Sequence, residues 1–300
     1  MKAGFIGLGK MGFNMAEHLL ERGHELVVFD LSKEVASVLA QKGAKAAGSL
    51  EELAGLLVTP RLLWLMVPAG DPVDAVISEL APFLRQGDIV VDGGNSHYAD
   101  SVRRSAALDE KGVRYLDAGT SGGLEGARNG ACVMVGGDRG AYASIVPLLD
   151  DLCVPDGYAH VGPSGAGHFA KMVHNGIEYG MMQAMGEGFH LLEASGFGFD
   201  PGEVATLWSN GSVVRGWLME LASRAYRRDP ELGYLDGKIA DSGEGRWTLE
   251  AALEHEVSLP VIAASLFSRY RSRAENNMSD RLVAALRNEF GGHGYTKKNS

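Results

Sequence analysis

Short apolar runs alternate with amphipathic stretches over roughly the first half of the chain. The apolar runs of strand length are residues 2–6, 25–30, 61–68, 88–92, 114–118, 131–135 and 158–161. The intervening stretches with helical periodicity include residues 13–22, 71–84 and 100–111. Strands that alternate with helices are typical of a parallel, doubly wound α/β sheet.

The turn after the first predicted strand has the sequence Gly-Leu-Gly-Lys-Met-Gly, residues 7–12. Glycines let backbone amides approach a pyrophosphate, and the following helix N-terminus offers unpaired N–H groups. Asp30, 18 residues after the third glycine, ends the second predicted strand. Strand, glycine motif, helix and acid in this order predict a Rossmann-type dinucleotide-binding domain.

Asp30 also bears on which dinucleotide binds. Its carboxylate is placed to accept hydrogen bonds from the adenosine ribose and to repel a 2′-phosphate, which favours NAD. NADP remains possible because Lys33 is close in sequence, and Asp30 could instead cap the next helix. The predicted cofactor-binding residues are Gly7, Leu8, Gly9, Lys10, Met11, Gly12, Asp30, Val67 and Asn95.

Two more glycine-rich segments follow predicted strands, at the sheet edge where doubly wound folds bind ligands. The first, residues 93–96, contains Asn95, which is a candidate to contact both nicotinamide and substrate, or alternatively a helix cap. The second, residues 119–130, is predicted to be a loop whose amides cradle a carboxylate or hydroxyls.

The chain is helical in pattern after Gly167, with predicted helices at residues 167–195, 201–209, 213–226, 248–272 and 278–289. We therefore predict two domains, a dinucleotide-binding domain at 1–165 and an all-α domain for substrate binding and oligomerisation at 166–300. The first of these helices contains Lys171, His174, Asn175 and Glu178 within an arc of roughly 100°. Its other faces are apolar, so it is expected to be buried nearly all round.

That polar stripe can be a buried network of ion pairs or an active site. Lys171 can serve as a base when neutral, and Glu178 lies two turns further, about 10 Å along the helix axis. A substrate fits between two such groups. No second histidine or carboxylate stands at metal-binding spacing, so His174 is predicted to bind substrate and no metal is predicted.

Composition limits the classes of partner. A net charge of −10 argues against a general nucleic-acid or anionic-membrane surface. No apolar run approaches the ~20 residues that span a bilayer, and a first strand starting at Lys2 leaves no room for a signal peptide. With only two cysteines, the chain is expected to be cytoplasmic.

Five segments stand in the order found in one family. They are GLGKMGFNMAEHL, VDGGNSHYADS, GTSGGLEGARNG, GHFAKMVHNGIEYGMMQAMGEG and FGGHGY. Over essentially its whole length the chain resembles the short-chain bacterial 6-phosphogluconate dehydrogenases, within the β-hydroxyacid dehydrogenase superfamily. The pair His174-Asn175 and the continuation Ile177-Glu178-Tyr179 distinguish this family from related hydroxyacid dehydrogenases.

The resemblance implies oxidative decarboxylation of 6-phosphogluconate to ribulose 5-phosphate and carbon dioxide, with hydride transfer to NAD(P). It implies that Lys171 is the general base and Glu178 the general acid. The residues implied to hold the sugar acid are Asn95, Ser121, Gly122, Gly123, His174 and Asn175. Tyr179 and Arg269 are implied to bind the phosphate, and Arg287 and His293 to reach a neighbouring subunit in a homo-oligomer.

One departure from the family leaves the substrate open. The family places a phosphate-contacting lysine in a glycine-rich loop before Lys-Trp-Thr, whereas the shorter segment at residues 241–248, DSGEGRWT, lacks it. Arg246 matches the lysine before the tryptophan rather than the missing ligand. The alternatives are a β-hydroxyacid dehydrogenase acting on a non-phosphorylated acid and a non-catalytic protein that senses a dinucleotide.

Overall fold

The computed structural model describes residues 1–274 and 277–291. The chain divides into two compact units, of which the first ends at His174 and the second begins at Asn175. This division falls inside one long helix, later than the predicted boundary between 165 and 166. The predicted domain boundary therefore stays a prediction.

An eight-stranded sheet forms the centre of the first unit. Its strands are β1 (Lys2–Ile6), β2 (Glu25–Phe29), β3 (Lys45–Ala46), β4 (Leu62–Leu65), β5 (Ile89–Asp92), β6 (Arg114–Ser121), β7 (Ala131–Gly137) and β8 (Cys153–Gly162). They lie in the order β3-β2-β1-β4-β5-β6-β7-β8. Neighbours pair in parallel except β6 and β7, which are antiparallel. The predicted doubly wound α/β fold is confirmed.

Apolar side chains on both faces of the central strands stabilise this sheet. Phe5 and Trp64 pack into one buried cluster, and their neighbours Ile6 and Leu65 pack into another. Because alternate residues of a strand point to opposite faces, strands covered on both sides are apolar throughout. That is why β4 and β5 appear in the sequence as continuous apolar runs.

Seven helices connect the strands of the first unit. They are α1 (Lys10–Glu21), α2 (Lys33–Gln41), α3 (Leu50–Gly55), α4 (Asp71–Leu80), α5 (Tyr98–Asp109), α6 (Gly123–Asn129) and α7 (Arg139–Leu152). The predicted loop at residues 119–130 is wrong. Its beginning extends β6 to Ser121, and most of the remainder forms α6, with Gly122 at the N-cap in a left-handed conformation (φ 117°).

The second unit is helical, as predicted. The long helix α8 (Ala166–Ala194) enters it and is followed by α9 (Pro201–Ser209), α10 (Trp217–Arg228), α11 (Glu244–Glu254), α12 (Pro260–Ser272) and α13 (Met278–Gly291). The single helix predicted over 248–272 is wrong. Pro260 begins α12, and proline has no N–H to continue a helix and disfavours helical geometry in the residue before it.

Helix α8 is less buried than its pattern predicts. Ile177 and Met181 are each about half exposed, at 52%. Met185 faces a small core made by Phe189, Ala205 and Met219.

Within residues 1–274 and 277–291, every helix falls short of the length and apolarity needed to cross a membrane.

Candidate active site

A cavity of about 630 Å³ opens at the carboxyl ends of β1, β4 and β5. Eight of the nine predicted cofactor residues line it: Gly7, Gly9, Lys10, Met11, Gly12, Asp30, Val67 and Asn95. The exception, Leu8, packs its side chain into the core and contributes its backbone N–H instead. The cavity therefore lies where a doubly wound sheet binds a dinucleotide.

The shape of the turn at this cavity requires glycine at position 12. A Cβ on Gly12 would lie 2.1 Å from the carbonyl oxygen of Gly7, so the turn and α1 can approach only without a side chain. Gly9 is the N-cap of α1, and a Cβ there would point into open space. The first amides of α1 thus face a volume that a pyrophosphate can fill, and the residues fit a dinucleotide.

Asp30 is fixed in place by the backbone. One carboxylate oxygen accepts the N–H of Leu8 at 2.6 Å, and the other accepts the N–H of Ser32 at 2.8 Å. Each oxygen retains a lone pair for a ribose hydroxyl. The N-cap of α2 is Ser32, so Asp30 is not the cap of that helix.

Two loops around the cavity are joined by a buried arginine that the sequence did not indicate. Arg104, whose side chain is 1% exposed, donates to both carboxylate oxygens of Asp74 and to the carbonyl oxygen of Gly70. It also donates to Ser96 and lies 3.5 Å from Asp92. Hydrogen bonds from Arg104 hold the pKa of the Asp74 carboxyl well below its usual range.

Asp92 completes this network on the side of Asn95. It accepts the hydroxyls of Ser96 and Tyr115 and the N–H of Gly94. The cap of α5 is His97, so Asn95 is not the helix cap and instead lines the cavity. Arg104 looks like an ordinary charged residue of a surface helix in the sequence, and only its contacts reveal its position.

The start of α8 packs tightly on the sheet. Both carboxylate oxygens of the buried Asp117 accept backbone N–H groups at this end, from Gly165 at 2.7 Å and His168 at 2.9 Å. A Cβ on Gly119 would lie 2.4 Å from the Cβ of Lys171, and one on Gly167 would lie 2.3 Å from the carbonyl oxygen of Asp117. Glycine at both positions therefore allows the start of α8, with Lys171, to pack closely against β6.

Lys171, His174 and Ser121 form what we name the Lys171 cluster. Lys171 is 7% exposed, and its Nζ lies 3.5 Å from Nδ1 of His174, at the limit of hydrogen-bond distance. Nε2 of the same ring lies 3.1 Å from the hydroxyl of Ser121. When Lys171 donates to Nδ1, the ring hydrogen is on Nε2 and is directed at Ser121. The cluster thus places an amine in a chain of polar groups.

A second group, which we name the Tyr179 cluster, lies entirely within the second unit and contains Tyr179, Asp241, Ser242, Arg269 and Tyr270. Its central residue is Tyr179, which is 5% exposed. The guanidinium carbon of Arg269 lies 3.3 Å from the centre of the Tyr179 ring, a cation–π contact. The Tyr179 hydroxyl donates to Asp241 at 3.3 Å, so this implied phosphate ligand contacts a carboxylate.

The remaining predicted site residues are located as follows. Asn175 is buried and Glu178 half-buried in α8, and Gly122 and Gly123 begin α6 with positive φ angles. Arg287 is exposed in α13. His293 lies outside the described residues. The roles of all these residues stay predictions.

Two family models match this chain and together cover most of it. Residues 2–160 match the NAD binding domain of 6-phosphogluconate dehydrogenase, and residues 167–279 match the 6-phosphogluconate dehydrogenase C-terminal domain. The chain belongs to the 6-phosphogluconate dehydrogenase family. The resemblance seen in the sequence motifs is confirmed.

Individual relatives agree with this family. The Bacillus subtilis (strain 168) protein YqeC, named only provisionally as a 6-phosphogluconate dehydrogenase, is 51% identical over 99% of this chain and 100% of its own. The NAD(+)-dependent, decarboxylating 6-phosphogluconate dehydrogenase of Haloferax volcanii is 47% identical over 99% of both chains.

A solved structure shares the fold over nearly the whole chain. Plasmodium falciparum 6-phosphogluconate dehydrogenase, determined apo and with NADP+ or 6-phosphogluconate, superposes with a TM-score of 0.84 at 30% identity. The match covers 97% of this chain but 65% of that one. Relatives are named as NAD(+)-dependent or as NADP(+)-dependent, so this family member is an oxidoreductase that uses NAD or NADP.

Proposed function

We propose that this protein oxidises and decarboxylates 6-phosphogluconate, giving ribulose 5-phosphate and carbon dioxide. The observation that carries the proposal is the Lys171 cluster in a chain of this family. Lys171 is buried and packs closely against Gly119 of β6. Its amine lies beside His174, which in turn contacts Ser121. A buried amine beside hydrogen-bonding groups suits proton transfer at a secondary alcohol.

Lys171 is proposed to take the proton of the hydroxyl on the third carbon as the hydrogen on that carbon departs. The bound nicotinamide ring supplies the hydride acceptor. The resulting Lys171 ammonium then polarises the ketone on the third carbon. The bond between the second carbon and the carboxylate breaks, carbon dioxide leaves, and its bonding electrons form an enediol. The same amine thus acts first as a base and then as an electrostatic stabiliser.

Glu178 is proposed to protonate the first carbon of the enediol after carbon dioxide has left. It follows Lys171 by seven residues in α8, which separates the two groups by about 10 Å along the helix axis. Asn95, Ser121, Gly122, Gly123, His174 and Asn175 are proposed to hold the sugar acid. Tyr179 and Arg269 are proposed to bind its phosphate, with Arg287 and His293 of a neighbouring subunit.

NAD is proposed to be the preferred cofactor. The support is the fixed position of Asp30, whose two oxygens are each held by a backbone N–H and which lines the cavity. A carboxylate there accepts hydrogen bonds from an unmodified ribose and repels a 2′-phosphate. We also propose that the protein is cytoplasmic and forms a homo-oligomer, as the family resemblance implies.

The reaction is tested with a panel of substrates. Wild-type protein is mixed with NAD or NADP and with 6-phosphogluconate, gluconate or 3-hydroxyisobutyrate, and both reduced cofactor and carbon dioxide are measured. We expect both products with 6-phosphogluconate. Reduction of cofactor with 3-hydroxyisobutyrate alone would indicate a different hydroxyacid dehydrogenase, and no reduction with any of the three would favour a dinucleotide sensor.

A non-phosphorylated sugar acid is the second candidate substrate, and one observation favours it. The carboxylate of Asp241 accepts the hydroxyl of Tyr179, and Arg269 donates to the carbonyl oxygen of the preceding residue, Ala240, in a segment that lacks the family's phosphate-contacting lysine. The gluconate arm of the same experiment tests this candidate directly.

A further inference from the structure

Asp241 supplies the carboxylate of the Tyr179 cluster. One of its oxygens accepts the Tyr179 hydroxyl at 3.3 Å and the N–H of Gly243 at 3.0 Å. The other oxygen lies 3.5 Å from the Tyr270 hydroxyl, which donates to it. Two phenols from two different helices, α8 and α12, are therefore directed at one carboxylate.

The direction of these hydrogen bonds decides what the cluster offers to a substrate. A tyrosine hydroxyl has one hydrogen, and a hydrogen bond to a carboxylate is stronger than one to a neutral oxygen. The hydroxyl of Ser242 likewise donates to Glu244, at 2.5 Å. Because the hydrogens of both Tyr179 and Ser242 point at carboxylates, these hydroxyls present lone pairs, which suit a hydrogen-bond donor rather than a phosphate oxygen.

The charges of the cluster point the same way. Arg269 donates to the carbonyl oxygen of Ala240 at 3.1 Å and lies over the Tyr179 ring. This positive charge is the attraction that the cluster offers to a phosphate, and the negative charge of Asp241, the residue after Ala240, opposes it. The attraction of Arg269 for a dianionic phosphate is therefore weakened by the negative charge of Asp241. A neutral hydroxyl can instead donate a hydrogen bond to the oxygen of Tyr179 or Ser242.

We propose that Asp241 determines how strongly this enzyme distinguishes a phosphorylated from a non-phosphorylated sugar acid. By holding the Tyr179 hydrogen and offsetting Arg269, it weakens recognition of a terminal phosphate and permits a terminal hydroxyl. The proposal rests on the proposed function, in which Tyr179 and Arg269 contact the end of the substrate distant from Lys171.

The experiment compares kcat/KM for 6-phosphogluconate with kcat/KM for gluconate in wild type and in Asp241→Asn. The variant keeps the size and shape of the side chain while it removes the charge and weakens the hold on the Tyr179 hydrogen. We expect the ratio to rise about tenfold, chiefly through a lower KM for 6-phosphogluconate. An unchanged or lower ratio would overturn the proposal.

Two further variants assign the effect. Asp236→Asn removes the same charge from an exposed turn and should leave the ratio within about twofold of wild type. In a Tyr179→Phe background, Asp241→Asn should raise the ratio less than about threefold, because no hydroxyl hydrogen remains to be released. An equal rise in both backgrounds would overturn the role assigned to the Tyr179 hydrogen.

The outcome separates this proposal from the proposed function. A wild-type protein that reduces cofactor with neither sugar acid contradicts the proposed function. A wild-type protein that oxidises 6-phosphogluconate, with a ratio that Asp241→Asn leaves unchanged, contradicts only the assignment of Asp241.

Discussion

The Lys171 cluster and the Tyr179 cluster both include residues of α8, but they differ in charge and in the direction of their hydrogen bonds. In the Lys171 cluster an amine, an imidazole and a hydroxyl lie in a row, and all three can exchange a proton. In the Tyr179 cluster the hydroxyls donate to carboxylates beside an arginine. The first arrangement suits proton transfer, and the second is proposed to influence which end group of a substrate is accepted.

Replacing Lys171 gives the largest expected effect. Lys171→Met keeps the bulk of the side chain and removes the amine, so kcat should fall by about 10²–10⁴-fold. Binding of NADH, measured by fluorescence titration, should stay within about threefold, because the cavity residues are untouched. Lys111→Met, an exposed position, is the matched control. Activity within tenfold of wild type in Lys171→Met would remove the proton-transfer role from this cluster.

Arg104 gives the next largest effect, and it tests whether a buried network holds the cofactor cavity independently of either cluster. Arg104→Met removes the buried guanidinium that pairs with Asp74 and lies beside Asp92, so the free energy of unfolding should fall by about 3–5 kcal/mol. The KM for NAD should also rise, since the loops carrying Gly70 and Ser96 lose their common contact.

Arg103→Met is the control for that experiment, because Arg103 is the exposed neighbour that also contacts Asp74. Denaturant titration should show a loss within about 1 kcal/mol for this variant. Equal losses for Arg103→Met and Arg104→Met would contradict the assigned network.

Asp30 tests the cofactor preference, which is independent of the substrate end group. Asp30→Ser should lower kcat/KM with NAD by about tenfold and raise it with NADP, since the ribose loses its acceptor and a 2′-phosphate loses its repulsion. Steady-state kinetics with both cofactors measure this. A wild-type preference for NADP of tenfold or more would contradict the role given to Asp30.

Asp74 gives the smallest effect, seen only in acid. Its folded pKa is lowered, chiefly by hydrogen bonds from Arg104, so its contribution to stability is complete above the pKa of the unfolded state, about 4. That contribution is lost as the pH falls through the folded pKa. In urea titrations below pH 4, wild type should lose stability more steeply than Asp74→Asn, and parallel curves would contradict the assignment.

The dinucleotide cavity could be predicted closely from sequence because its requirements are local. Gly7, Gly9 and Gly12 are fixed by one turn and one helix start, and Asp30 by the end of one strand. The Arg104 network could not be found in this way. Its partners Asp74 and Asp92 lie 30 and 12 residues away, and nothing in a local pattern distinguishes Arg104 from the exposed Arg103.

The Tyr179 cluster shows a second limit of sequence reasoning. The sequence shows that residues 241–248 lack the family's lysine. It does not show the role of Asp241, because that role depends on the hydroxyls that donate to its carboxylate. The prediction of a loop at the glycine-rich segment 119–130 is wrong for a related reason. Its glycines permit a left-handed N-cap at Gly122 and close packing onto β6, and those uses favour a short helix over a loop.

The most direct test of the account follows the hydrogen on the third carbon of the substrate. With 6-phosphogluconate deuterated at that carbon and wild-type enzyme with NAD, each deuterium should appear in the reduced nicotinamide, with one carbon dioxide released per cofactor reduced. The Lys171→Met variant should form neither product at a comparable rate. Reduced cofactor without deuterium, or without carbon dioxide, would contradict the proposed reaction.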